Sequence, residues 1–143
     1  MKKQDLKLQD FPLQTFDKIR YADTDRQGHV NNAVFATFLE TGRVEFLYHS
    51  ETPLHDKGAS FVIVNLNLNL HAEINWPGKI EIGTGVTKVG RSSLHLLQVL
   101  FQNGHQVATA HTVIVQLNND TRESQPLSDE SRSMLEMKLL HLD

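Results

Sequence analysis

An α+β fold, with a five-stranded antiparallel sheet wrapped around one long central helix and a short C-terminal helix, is predicted by three features of the sequence. Apolar residues recur at helical spacing between positions 32 and 49. The second half of the chain is a series of strand-like segments divided by turn signals. No other long apolar element is present, and a single antiparallel sheet must cover its apolar face with something.

The elements follow in order. After a polar leader from Met1 to Pro12, Phe16 to Tyr21 alternates as a first strand. Residues 22 to 30 read as a loop, rich in Asp and containing Gly28. Asn31 and Asn32 open the helix, Asn being a good N-cap. Along residues 32 to 49, Val34, Phe35, Phe38, Leu39, Gly42, Val44, Phe46 and Leu47 form the apolar pattern. Gly42 lowers helix propensity by about 1 kcal/mol, which predicts a close packing partner there.

Asn65 to Leu70 alternates strictly, so one face is apolar and the other carries amides. Trp76-Pro77-Gly78 breaks the chain, and Lys79 to Lys88 resumes as a strand. Gly90-Arg91 is a turn before the strand Ser93 to Gln102. Asn103-Gly104 is a strong hairpin signal, and Val107 to Leu117 returns. The last four strands are expected to form a meander. Ser128 caps the final helix, with Asp129 and Glu130 in its first turn where the helix dipole favours them. A single domain over 1–143 is expected, with its core at about 14–120 and its C-terminal helix at about 128–141.

Composition narrows the function. Hydrophobic residues make up 39% and charged residues 22% of the 143 residues, an ordinary globular balance. A formal net charge of −3 argues against nucleic acid and membrane surfaces as partners, since both reward a basic excess. There are no cysteines, which removes disulfides, thiol nucleophiles and thiolate metal sites and fits a cytoplasmic location. No apolar run approaches the roughly 20 residues of a membrane span. No bound cofactor is expected, and no metal. Of the eight histidines, His95, His105 and His111 lie on or near the hairpin, where His95 and His111 could share a face, but no ligand spacing accompanies them.

The dense polar cluster runs from Tyr21 to Asn32, directly before the buried helix. Taken singly, an Asp or Asn there is an ordinary cap, a loop Gly a turn and a lone His structural. Together they stand where a helix N-terminus offers unpaired N–H groups and partial positive charge, able to polarise a carbonyl. A carboxylate fixed just upstream can activate water or attack directly. Thioesters suit such sparse machinery, because the leaving thiol has a parent pKa of about 8.5 and needs little help to depart.

The stretch from Asp25 through Gly28, His29, Asn31 and Asn32 to Phe35, continuing to Phe38-Leu39-Glu40 and Arg43, resembles the hotdog-fold thioesterases of the 4-hydroxybenzoyl-CoA thioesterase-like superfamily. The long-chain acyl-CoA thioesterase branch is the most similar, and shares a run like Phe61 to Asn69 after the helix. The resemblance covers roughly residues 16 to 117. It implies hydrolysis of a fatty (medium- to long-chain) acyl-CoA, with Asp25 as general base or nucleophile and Asp23 as the weaker alternative. It implies His29 as an orienting residue and the backbone N–H of Asn32 as the group that polarises the thioester. Glu40 matches a family glutamate and is read as structural, paired with Arg43.

The same resemblance places coenzyme A phosphates at Lys88, Arg91, Ser92 and Ser93, and the acyl chain along Phe35, Phe38 and Leu39. It implies self-association to a dimer or tetramer, with the site at a subunit interface. Two departures stand out. Phe35 occupies a position where relatives often have Tyr, and Leu70-His71-Ala72-Glu73 replaces a basic, proline-containing stretch. Rival functions are an acyl-carrier-protein thioesterase, a non-catalytic acyl-CoA-binding module and a hotdog enoyl-CoA hydratase. Hydratase relatives space their Asp and His five residues apart with Asn-Pro between; here Asp25 and His29 are four apart.

Overall fold

The computed structural model describes residues 6–48 and 51–141. Five strands form one antiparallel sheet: β1 (Leu13–Ile19), β2 (Ala59–Leu70), β3 (Gly78–Val89), β4 (Ser93–Gln102) and β5 (His105–Asn118). The helices are α1 (Asn32–Leu47) and α2 (Asp129–Glu136). The sheet order is β1-β3-β4-β5-β2, and α1 packs on β1, β3 and β4. This is the hotdog arrangement.

Only β3, β4 and β5 form a meander. The expected four-strand meander is corrected by β2, which pairs with β5, Leu70 opposite Ala108 and Leu66 opposite Thr112. Alternation specifies which face of a strand is buried but not its neighbour. Having crossed the sheet with α1, the chain enters β2 at the far edge. Residues 71–77 must then run back over the end of the sheet to reach β3. His71 and Ala72 donate to the Val107 carbonyl, and Val30 donates to that of Ile74. This returning segment becomes one wall of the groove described below.

Most boundaries follow local chemistry. Asn31 caps α1, its Oδ1 accepting from Ala33 N–H at 2.9 Å. The helix ends at Leu47; the expected last turn reaches His49, which lies outside the described residues. The hairpin between β4 and β5 turns at Asn103 (φ 52°) and Gly104 (φ 80°), the left-handed pair that a two-residue turn requires. Strand β1 is shifted toward the N-terminus from the expected 16–21, because Tyr21 to Asp23 curl into a 3-10 turn.

The C-terminal helix is shorter than expected. It stops at Glu136 because residues 138–140 are drawn onto β3: Val86 N–H donates to the Lys138 carbonyl and Leu140 N–H to that of Val86. The Ser128 cap is present, accepting from Ser131 N–H at 3.1 Å. Ser128→Ala is expected to cost about 1 kcal/mol, read as a lower thermal midpoint with an unchanged far-ultraviolet spectrum.

The concave face of the sheet and α1 enclose Ile19, Phe35, Phe38, Leu39, Ile80, Ile82, Leu100 and Ala110. The convex face is also covered over its centre. Leu97, Val99 and Phe101 pack there with Leu6 and Phe11 of the leader. Gly83 makes room for this: a Cβ there would meet the Phe11 ring at 2.6 Å. His95 and His111 do share a sheet face, opposite Val113 and Leu97 respectively. Among the described residues, no group of three His, Asp or Glu side chains could hold a metal ion. No helix among them is long and apolar enough to cross a membrane.

Candidate active site

The loop before α1 is a miniature hairpin. Thr24 bridges Val30, Asp25 N–H donates to the His29 carbonyl at 2.7 Å, and Gly28 N–H returns to the Asp25 carbonyl at 3.1 Å. Gly28 sits at φ 84°, a conformation that a side chain would strain. The turn is fastened from within by Asp25, whose Oδ1 accepts from Gln27 N–H at 2.8 Å and from His29 N–H at 3.2 Å. Both contacts fall on Oδ1. No described residue donates to Oδ2, and the side chain is exposed.

Asp23, the competing carboxylate, is engaged differently. It is 5% exposed, accepts from Arg20 N–H at 2.8 Å and pairs with the Arg20 guanidinium at 3.2 Å. Its role is to tie the 3-10 turn to the end of β1. Of these two aspartates, Asp25 is the one that lines the groove.

The groove itself has a volume of about 370 Å³. Asp25, Gln27, His29, Val30, Asn32 and Phe35 supply one wall, and Leu70 to Glu73 of the returning segment supply the other. At the head of α1, Ala33 N–H is taken by the Asn31 side chain and Val34 N–H by the Asn31 carbonyl. The Asn32 N–H has no acceptor among the described residues, and Asn32 lines the same groove. A carboxylate, the first residue of a helix and apolar side chains thus line one cavity. That combination can bind an acyl group, polarise its carbonyl and deliver a nucleophile.

The structure brings together Asp25, His29, Asn32 and Phe35 as expected from the sequence. Phe38 is not with them: it is fully buried in the core, one helical turn beyond Phe35 and turned into the sheet. Lys88, Arg91, Ser92 and Ser93 lie at the other end of β3. Its start, Gly78, pairs with Ile19 beside the Asp25 loop, and ten further residues at about 3.3 Å each put Lys88 roughly 30 Å away along the strand. One chain therefore does not unite the two sets.

Arg43 does not ion-pair with Glu40. It is 8% exposed and donates to Gln98 Oε1 at 3.4 Å. Burial pushes its guanidinium below the ordinary value, opposed through space by Glu40 and Tyr48.

The far wall, Leu70 to Glu73, was not among the expected site residues. The signal was present: the alternation of β2 runs into His71-Ala72-Glu73 with no hairpin turn, so the chain had to cross the sheet end. Glu73 reaches back to His29, Oε2 to Nε2 at 3.0 Å.

Fold and groove fit a thioester hydrolase, and the comparisons with known proteins show that class. The chain belongs to the thioesterase-like superfamily, whose family model matches residues 19–135. It is 30% identical over 128 residues to the long-chain acyl-CoA thioesterase FadM of Escherichia coli (strain K12), covering 87% of this chain and 97% of that protein. Among solved structures, a predicted thioesterase from Bacillus stearothermophilus superposes with a TM-score of 0.82 at 26% identity, over 92% of this chain and 98% of the other. A thioesterase from Thermus thermophilus, solved in complex with coenzyme A and Zn, gives a TM-score of 0.76 at 26% identity, over 87% and 98% of the two chains.

Proposed function

We propose that this protein hydrolyses medium- to long-chain fatty acyl-CoA thioesters to the free acid and coenzyme A. The observation that carries the reading is the pairing, in one groove, of Asp25 with the uncommitted Asn32 N–H at the head of α1. The thioester carbonyl accepts from Asn32 N–H, with the helix dipole adding to its polarisation. Asp25 either takes a proton from the attacking water or attacks the carbonyl carbon itself. The tetrahedral oxyanion collapses with loss of the thiolate, giving the free acid directly where water attacks, or an anhydride with Asp25 that a water molecule then hydrolyses to the acid and free Asp25. Phe35 and Leu70 receive the start of the acyl chain. Similarity to FadM, a long-chain acyl-CoA thioesterase, supports the acyl-CoA class, and the coenzyme A complex of the Thermus thermophilus protein supports the leaving group.

The separation of Lys88 to Ser93 from Asp25 supports a site completed by a second subunit. Strand β2 supports the same reading, since it lies at the sheet edge with Ile63, Val64, Leu66 and Leu70 between 40% and 57% exposed. An unpaired edge carrying apolar side chains is suited to meet another copy. A Lys88→Glu/Arg91→Glu variant is expected to raise KM for acyl-CoA by roughly tenfold or more. The corresponding acyl-pantetheine, which lacks the nucleotide phosphates, should be hydrolysed as by wild type. Mixing this variant with Asp25→Asn, then allowing subunits to exchange, should restore part of the activity that each lacks alone. No recovery after verified exchange would place both functions on one chain and contradict the shared site.

A further inference from the structure

We propose that Glu73 is a positioning residue for His29, fixing which ring nitrogen carries the proton. The inference rests on the reading that His29 works in the acyl-CoA groove. His29 Nε2 lies 3.0 Å from Glu73 Oε2, with the two side chains 31% and 67% exposed. Both line the groove from opposite walls.

The two walls are stitched together by backbone as well. Val30 N–H donates to the Ile74 carbonyl at 2.9 Å, and His29 bridges Asn75. Asn75 is clamped in turn by Gln102, a buried residue of β4 that accepts from Asn75 N–H at 3.0 Å and donates to its carbonyl at 2.7 Å. Glu73 is therefore offered by a segment anchored two residues away, and its reach to His29 is set by the fold.

An ionised carboxylate can only accept hydrogen bonds. When the imidazole is neutral, the proton between the two groups must then belong to Nε2, which leaves Nδ1 with the lone pair. His29 is thus presented as an acceptor at Nδ1, toward water or substrate. Its own backbone N–H meanwhile holds Asp25 Oδ1. One residue connects Glu73 to Asp25, by its ring on one side and its main chain on the other. Because the pair is open to water it contributes little to folding, so its effect should show in turnover.

The test compares wild type with His29→Ala, Glu73→Ala and Glu73→Gln, by ¹⁵N NMR of the His29 ring in the neutral state and by thiol release from an acyl-CoA. In wild type the ring should carry its proton on Nε2, and Glu73→Ala should shift it to a mixture of both tautomers. The same variant should lower kcat on the order of tenfold, with KM and thermal midpoint little changed. Glu73→Gln, whose amide oxygen still accepts from Nε2–H, should recover the tautomer and most of kcat. If His29→Ala loses activity while Glu73→Ala keeps both tautomer and kcat, the positioning role is overturned and the groove stands. If His29→Ala is fully active, the place given to His29 in the groove fails, and the proposal with it.

Discussion

Asp25→Asn is expected to lower kcat/KM for acyl-CoA hydrolysis by ~10²-fold or more while leaving the fold intact. The amide keeps an oxygen in place for Gln27 and His29 N–H, which donate at 2.8 and 3.2 Å, so the loop retains its turn. What is lost is the negative charge, and with it both the proton acceptor and the nucleophile. Asp23→Asn makes the contrast. Asp23 is buried against Arg20, so its neutralisation should lower thermal stability, where Asp25→Asn should not. Steady-state kinetics beside thermal melts separate the two carboxylates. Equal loss of activity in both variants, at equal stability, would remove the distinction drawn between them.

The largest stability effect is expected at Gly42. A Cβ there would stand 2.8 Å from Gln98 Nε2, 2.8 Å from Ile82 Cγ2 and 3.0 Å from Thr84 Oγ1. None of these can move away cheaply. Gln98 Nε2 is held by the Leu39 carbonyl and by Thr84, both at 3.0 Å, and Ile82 is fully buried on β3. In Gly42→Ala, the gain of about 1 kcal/mol in helix propensity is opposed by an overpacking cost of about 1–3 kcal/mol. Gly42→Val adds two more methyl groups and a stiff χ1. It should destabilise by roughly 3 kcal/mol or more, lowering the thermal midpoint by about 10 °C. Calorimetry of the three proteins reads this directly. A Gly42→Val midpoint equal to wild type would mean that α1 does not sit against β3 and β4 as described.

That close approach was legible from the sequence as a glycine inside an apolar helix, though not which strands it meets. The same division recurs through the molecule. Strand β4 begins and ends where Ser93 and Gln102 predict, and the caps at Asn31 and Ser128 form, because turns and caps are decided by residues within a few positions of each other. Sheet order is decided by partners far apart in the chain. Nothing in Asn65 to Leu70 says that β5, and not β3, will lie beside it. The leader reads as polar, yet Phe11 is 2% exposed, since one aromatic ring suffices to fill the hollow above Gly83. The tail reads as helix to residue 141, yet residues 138–140 bind Val86, a contact that only the folded sheet creates.

For the groove, Asp25, His29, Asn32 and Phe35 were legible because they belong to one continuous segment at a helix start. The opposite wall comes from residues 70–73, more than thirty positions later, and its presence depends on the chain crossing the sheet end. Phe38 illustrates the limit of pattern. At helical spacing, Phe35 and Phe38 look alike, and both join the core; only the packing shows that Phe35 also borders the groove.

The most direct test of the central claim is release of free thiol by the wild-type protein from a panel of acyl-CoAs spanning short, medium, long and aromatic acyl groups. Steady turnover, greatest with the medium- and long-chain members, is the expected result. Tight binding of acyl-CoA with no thiol released across the whole panel would contradict hydrolysis in the Asp25 groove.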